Sequence, residues 1–228
     1  EARVQHLAVK RVVGLEVEVA ADERAFSPVM RFVGARLLDL QIFHHPDYFH
    51  ELDTFRPHAV GFSLNYLANV PEVIDLAIET KRRLPECFVF IGGHSASFIA
   101  REILEHAQGA IDCAVRGEGE AIAPRILEMI PDGNLEALPG VVTLKGMGPS
   151  PALLPSLDKP LPARDLTRKR KKYFIGVLDP CASVEFTRGC PWDCTFCSAW
   201  TFYGRSYRKI SPEVAADELA RIPEPNAF

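Results

Sequence analysis

No stretch of this sequence approaches the roughly 18 consecutive apolar residues that a membrane-spanning helix requires, and nothing at its amino-terminal end reads as a secretory signal. A cytoplasmic setting is therefore expected, at most peripheral to the inner face of a membrane. No GxxxxGK[ST] occurs, and Gly117-Glu-Gly119-Glu-Ala-Ile lacks the third glycine of GxGxxG, so neither common phosphate-cradling fingerprint is present. Cationic excess is missing as well. Twenty-six Lys and Arg against 30 Asp and Glu leave a formal net charge of -4, which gives no electrostatic basis for general nucleic-acid binding.

What is present has a globular balance, 47% hydrophobic and 25% charged, with length for one full domain and part of another. Six cysteines without secretory context point to a reducing compartment. Cys87 and Cys113 lie in apolar stretches and are expected as buried small hydrophobes. Three others form Cys190-Pro-Trp-Asp-Cys194-Thr-Phe-Cys197, a CxxxCxxC spacing that supplies three thiolates from one loop. A structural zinc site is normally closed by four ligands, whereas a four-iron, four-sulfide cube on three cysteines keeps one iron open to a substrate or cofactor. A zinc site completed by Cys181 or a histidine is the alternative, and a disulfide with one spare thiol a third.

The setting of these cysteines is informative. Ser183-Val-Glu-Phe-Thr-Arg-Gly189 reads as a short strand ending in glycine. Ser211-Pro-Glu opens a helix with a good N-cap, a proline at the first helical position and an early acidic residue. Strand, cysteine loop and helix are expected to make one β/α unit, with the cysteines at the strand's carboxyl end, where parallel α/β barrels carry their catalytic rim.

Between residues 36 and 127, short β-like runs alternate with amphipathic stretches, the mark of a parallel α/β sheet. The expected strands are Arg36–Leu40, Ala59–Ser63, Phe88–Ile91 and Ile111–Val115, and the expected helices lie near Pro71–Arg83, Ser97–His106 and Ala121–Ile130. Val73, Ile74, Ala77, Ile78 and Leu84 are the expected core-facing stripe of the first helix. Each of three strands ends in a polar or glycine-rich loop: Ser63-Leu-Asn65, Gly92-Gly93-His94-Ser95 and Arg116-Gly117-Glu118-Gly119-Glu120. Such loops lie along the edge where doubly wound sheets bind ligands, although each taken alone also reads as a structural turn. His44, His45 and His50 read as a polar turn.

Upstream of Arg36 the usual strand, loop and glycine-capped helix cannot be laid out. Leu7–Val19 is a candidate strand, Pro28 breaks any helix there, and the central strand of the sheet is expected to be missing or irregular. From Pro139 to Pro180 the chain is proline-rich and aperiodic, a linker. Its basic run Arg168-Lys-Arg-Lys-Lys172 is a solvated face or a contact with an anionic membrane surface.

With Phe196 just before its last cysteine, the CxxxCxxC loop resembles that of the radical S-adenosylmethionine (radical SAM) superfamily. The resemblance implies that Cys190, Cys194 and Cys197 hold a [4Fe-4S] cluster. Its open iron binds S-adenosylmethionine, which is cleaved to a 5'-deoxyadenosyl radical. Placed before that motif, the three loops resemble the cobalamin-binding domain that precedes many radical SAM cores. On this resemblance Ser63, Asn65, Gly92, Gly93, His94, Gly117, Glu118 and Gly119 match positions lining the corrinoid or its nucleotide tail. The fold implied is α/β: a doubly wound, flavodoxin-like cobalamin-binding domain over 1–140, a linker over 141–180, and the first β/α unit of a radical SAM partial barrel over 181–228. Arg56-Pro-His58-Ala-Val-Gly61 carries arginine where a cobalt-ligating DxHxxG motif has aspartate, so His58 reads as a surface histidine.

Within this group, Asp39-Leu-Gln-Ile-Phe-His-His-Pro-Asp-Tyr-Phe, Gly61-Phe-Ser-Leu-Asn-Tyr-Leu-Ala-Asn and Cys197-Ser-Ala-Trp-Thr-Phe-Tyr-Gly-Arg-Ser-Tyr-Arg look like hopanoid C-3 methylases, from about Leu37 onward. That implies methyl transfer from methylcobalamin to a hopanoid lipid, with a reductant protein such as a ferredoxin or flavodoxin. The rivals are another cobalamin-dependent radical SAM enzyme, such as a tetrapyrrole cyclase or a different methylase, and a non-catalytic zinc and corrinoid module. The sequence starts without methionine and stops 31 residues after Cys197, so a fragment that is inactive alone is expected.

Overall fold

The computed structural model describes residues 11–18, 31–130, 133–158, 162–166, 169–175, 177–178 and 181–223. The chain divides into two compact units, Glu1–Ala152 and Leu153–Phe228. Among the described residues no helix is long and apolar enough to cross a membrane.

The first unit is built on a six-stranded sheet with order β2-β1-β3-β4-β5-β6. Its strands are β1 (Arg11–Glu18), β2 (Arg31–Asp39), β3 (Ala59–Ser63), β4 (Phe88–Gly92), β5 (Cys113–Val115) and β6 (Val141–Val142). β3, β4 and β5 are parallel, as their continuous apolar runs predict. The spatial order of the first five strands is that of a flavodoxin-like sheet, with one change. β1 is antiparallel to both β2 and β3. The central place expected to be missing is therefore filled, by a strand running backwards. Of the candidate strand Leu7–Val19, residues 11–18 form β1; the remainder, and Pro28, lie outside the described residues.

Side chains alternate across the pleat. Val60, Phe62, Val89, Ile91 and Ala114 point into one buried cluster with Tyr48 and Leu52 of α1 (His45–Phe55), Val73, Leu76 and Ala77 of α2 (Val70–Arg83), and Ile103 and Leu104 of α4 (Ala100–Ala107). Ala59, Phe90, Cys113 and Val115 point the other way, against Ile126 and Leu127 of α5 (Ala123–Met129) and against Leu138 and Val141. Gly61 faces this second layer, paired in register with Phe90. A Cβ at Gly61 would sit 2.6 Å from the Phe90 ring, so the phenyl group occupies the room that the glycine leaves.

Several expected elements change on inspection of the fold. The three histidines are not a turn. His44 is the N-cap of α1, with its backbone N–H bonded to the Asp47 carboxylate at 2.8 Å, and His45 and His50 lie within the helix. In α2 the buried stripe is Val73, Leu76, Ala77 and Thr80, whereas Ile78 is exposed. Thr80 is accommodated there because its hydroxyl donates to Leu76 O at 2.6 Å and meets the Tyr48 hydroxyl at 2.5 Å. The helix expected over 97–106 is split at Ile99 into α3 (His94–Phe98) and α4. Residues 141–152, expected as linker, belong to the first unit and supply β6.

The second unit contains β7 (Thr187–Arg188), α6 (Ala199–Tyr203), β8 (Arg208–Lys209) and α7 (Pro212–Ala220). β7 and β8 pair antiparallel. The expected simple progression of strand, cysteine loop and helix is thus interrupted, since α6 and a returning strand stand between the loop and α7. The helix start itself is as expected: Ser211 caps α7 by accepting from the Val214 N–H, with Pro212 first and Glu213 next. Arg164 joins Glu218 of α7 at 2.5 Å and also donates to Ser183 O at 2.9 Å.

Candidate functional site

Because β3, β4 and β5 are adjacent and parallel, their carboxyl ends open on one edge of the sheet, and the three loops predicted to bind meet there. The Asn65 side chain ties the first two together. Its Oδ1 accepts the His94 N–H at 3.1 Å and its Nδ2 donates to Ser63 Oγ at 3.3 Å. Leu64 completes the join, its N–H donating to Gly92 O at 2.7 Å and its carbonyl accepting from the Ser95 N–H at 3.0 Å. Gly93 stands at φ +100°, where a Cβ would lie 2.7 Å from Asn65 Oδ1 and 2.9 Å from Leu64 O. Only glycine suits that backbone and that approach.

The third loop is held by a residue that sequence reasoning did not single out. The Ser97 hydroxyl donates to Gly93 O at 2.9 Å and accepts the Gly117 N–H at 3.0 Å, while Arg116 Nε reaches Ser97 O at 3.3 Å. Gly117 is at φ +79°, and a Cβ there would meet Pro151 at 2.7 Å. Glu118 is buried, and Gly119 O accepts the N–H groups of Ile122 and Ala123, which starts α5. Gly92 and Gly119, by contrast, would bring a Cβ only to ordinary contact. The His94 ring packs edge-to-face on Phe98 at 5.1 Å, and burial holds its imidazole below the ordinary histidine pKa. His58 is exposed at the amino end of β3, the opposite edge of the sheet, in keeping with a surface histidine.

In the second unit the cysteine loop is fastened by its neighbours. Gly189, at φ +91°, passes so close to Ser206 that a Cβ would lie 2.4 Å from Ser206 O. The Cys194 carbonyl accepts from the Cys197 N–H at 3.0 Å and from the Trp200 indole at 3.1 Å, and Arg205 pairs with Asp193. All three thiols are free, Cys194 exposed and the other two half-buried. Three disulfide-free thiols within eight residues are the donor chemistry of a thiolate-held cluster or of a zinc site. Among the described residues no three His, Cys, Asp or Glu side chains are gathered as a metal-binding group. Phe196 is 91% exposed and Trp192 70%, two large apolar surfaces beside the thiols. Cys87 and Cys113 are buried, as expected; burial pushes the Cys87 thiol up to about 12 and raises that of Cys113 as well.

A family model described as B12 binding domain matches residues 12–127. The chain belongs to the B12 binding domain family. Among curated proteins it is 62% identical over 194 residues to a hopanoid C-3 methylase from Methylococcus capsulatus, covering 85% of this chain and 38% of that protein. It is 29% identical over 180 residues to an anaerobic magnesium-protoporphyrin IX monomethyl ester cyclase from Rubrivivax gelatinosus, covering 74% of this chain and 32% of the cyclase. Among solved structures, the radical S-adenosylmethionine methyltransferase TsrM from Kitasatospora setae, with cobalamin and a [4Fe-4S] cluster bound, superposes with a TM-score of 0.57 at 21% identity, over 80% of this chain and 38% of TsrM. That likeness concerns the fold. The chain spans about two fifths or less of the length of these proteins.

Family membership places the Asn65, Gly93, Ser97 and Gly117 network within the matched segment. Ser97 lay inside a predicted helix, and a serine there carries no sequence signature of a loop-to-loop bridge. Pro151 was equally hidden, because it fell in the stretch expected as linker.

Proposed function

We propose that this chain is part of a cobalamin-dependent radical SAM methyltransferase that methylates a hopanoid lipid at C-3. The observation that carries the reading is the presence in one chain of a B12-family sheet edge and, in its second unit, a CxxxCxxC loop with three free thiols. The 62% identity to a hopanoid C-3 methylase supports a hopanoid substrate over the tetrapyrrole chemistry named for the 29% relative.

Cys190, Cys194 and Cys197 are the ligands of the cluster. Ser63, Asn65, Gly92, Gly93, His94, Gly117, Glu118 and Gly119 line the cobalamin. Cluster and cobalamin, when bound, supply the electron that cleaves S-adenosylmethionine and the methyl group that is transferred. The chain's own residues hold and orient them. Asn65 and Ser97 fix three loops in one arrangement, and Gly93 and Gly117, both at positive φ, let Asn65, Leu64 and Pro151 pack against the loops where a side chain would stand. His94, whose imidazole burial holds below the ordinary histidine pKa, is a hydrogen-bonding group on this edge. Trp192 and Phe196 are exposed apolar side chains of the same loop, available to cover the thiolates once a cluster and its cofactor are bound. A reductant protein such as a ferredoxin or flavodoxin supplies the electron, and a lipid substrate makes contact with the inner face of the membrane part of the same reading.

Anaerobic reconstitution of the chain with iron and sulfide, followed by metal and acid-labile sulfide analysis, tests the cluster; zinc without sulfide sinks it in favour of a zinc and corrinoid module. For the substrate, the longer protein is incubated with desmethyl hopanoid, S-adenosylmethionine, cobalamin and reductant. Mass spectrometry then reports whether a C-3 methyl product forms.

A further inference from the structure

Residues 169–175 and 177–178 of the second unit combine two properties that a solvated loop does not need together. Lys169, Lys171 and Lys172 are exposed, and the Lys172 N–H closes a 3₁₀ turn on Lys169 O at 2.8 Å. Immediately afterwards Ile175 and Leu178 exchange both backbone hydrogen bonds, at 3.0 and 2.9 Å, and the Cys181 N–H bonds Tyr173 O at 3.2 Å at the base. The result is a short reversal of the chain with apolar side chains outward. Val177 is 94% exposed, and Phe174, Ile175 and Leu178 are exposed beside it.

We propose that this segment is a membrane-surface anchor, its tip seated among acyl chains and its lysines on anionic headgroups. Charge complementarity selects the occupant: a run of cations next to an apolar tip matches the boundary between anionic headgroups and hydrocarbon. Neither property suffices alone, since stable interfacial binding requires an apolar insertion and a basic cluster together. The paired N–H and C=O groups of Ile175 and Leu178 satisfy each other, which lowers the cost of moving that backbone out of water. The inference rests on the lipid-substrate reading for its biological sense, because an enzyme acting on a membrane lipid must meet its substrate at a bilayer. Its geometry is independent of that reading.

The test is sedimentation of the 228-residue chain with vesicles of phosphatidylcholine alone and of phosphatidylcholine with phosphatidylglycerol. Binding to the anionic vesicles is expected, weakened about 25-fold by Lys171→Gln with Lys172→Gln, at about 5-fold for each lysine charge lost from an anionic surface. Val177→Trp is expected to add tryptophan emission that brominated lipid quenches, beyond the quenching of the unsubstituted chain. Failure to bind either vesicle, binding that the lysine changes leave intact, or anionic binding without extra quenching each overturns the anchor. In the longer protein, a Val177→Trp indole already shielded from acrylamide before vesicles are added overturns it too, since protein then covers the tip. Methylation of detergent-dispersed hopanoid separates the two readings. Vesicle binding without methylation sinks the substrate assignment, and methylation without vesicle binding sinks only the anchor.

Discussion

Ser97 and Gly117 are joined across the exits of two neighbouring strands: the serine hydroxyl accepts the glycine N–H at 3.0 Å while donating to Gly93 O at 2.9 Å. One side chain thereby sets the spacing of two loops on the ligand edge. Ser97→Ala removes both bonds and is expected to weaken hydroxocobalamin binding about 5- to 30-fold, from the loss of about 1–2 kcal/mol of orientation. Absorbance titration reads the change, and an unaltered affinity would remove Ser97 from the site.

Gly93→Ala is expected to be the most damaging glycine change on this edge. The new methyl meets Asn65 Oδ1 and Leu64 O below 3 Å on a backbone at φ +100°, which points to a loss of about 2–4 kcal/mol. Gly119→Ala, with only ordinary contact around it, should cost less than about 1 kcal/mol. Urea unfolding of the two variants side by side gives the contrast, and equal losses would contradict it.

Cys194→Ala should abolish the cluster absorbance after reconstitution and leave cobalamin binding measurable. The two sites lie in separate compact units, and the Cys194 contacts that fasten its loop are made by its carbonyl, not its sulfur. Simultaneous loss of both signals would argue against that independence.

Thiol chemistry should sort the cysteines by burial. Thiolate is the reactive form, and a thiol pushed up to about 12, as in Cys87, stays protonated at pH 8, as does the still more buried Cys113. Iodoacetamide at pH 8 is expected to label Cys190, Cys194 and Cys197 in the native chain, and Cys87 and Cys113 only after denaturation. Peptide mass spectrometry distinguishes the sets. Early labelling of Cys113 would mean that the second core layer opens readily.

The parts of the fold that were legible in the sequence are those where local pattern and burial agree. β3, β4 and β5 are interior parallel strands and read as apolar runs, and their exits carry the glycines and polar residues that mark loops. α1 was missed because His44-His45-Pro46-Asp47 has turn composition. Its helical signal lay in the Asp47 contact to the His44 N–H and in Tyr48 and Leu52, four residues apart on one face. The expected stripe of α2 left out Leu76 and Thr80, which are buried, Thr80 with its hydroxyl bonded to Leu76 O and Tyr48. The reversal of β1 has no signature in periodicity, since a strand alternates in the same way whichever direction it runs. At the candidate site, eight residues and three cysteines are expectations from motif and position, whereas Ser97 and Pro151 come into view only through three-dimensional adjacency.

The fit of Phe90 over Gly61 ties two positions 29 apart in the chain into one reciprocal constraint. An enlarged side chain at 61 is tolerated only with a smaller one at 90, so natural variation at the two sites should be correlated. Such a pair is a marker of strand register. In relatives too distant for reliable alignment, finding the small and the aromatic partner opposite one another would fix how β3 lies beside β4, and with it the loops that each strand delivers to the edge.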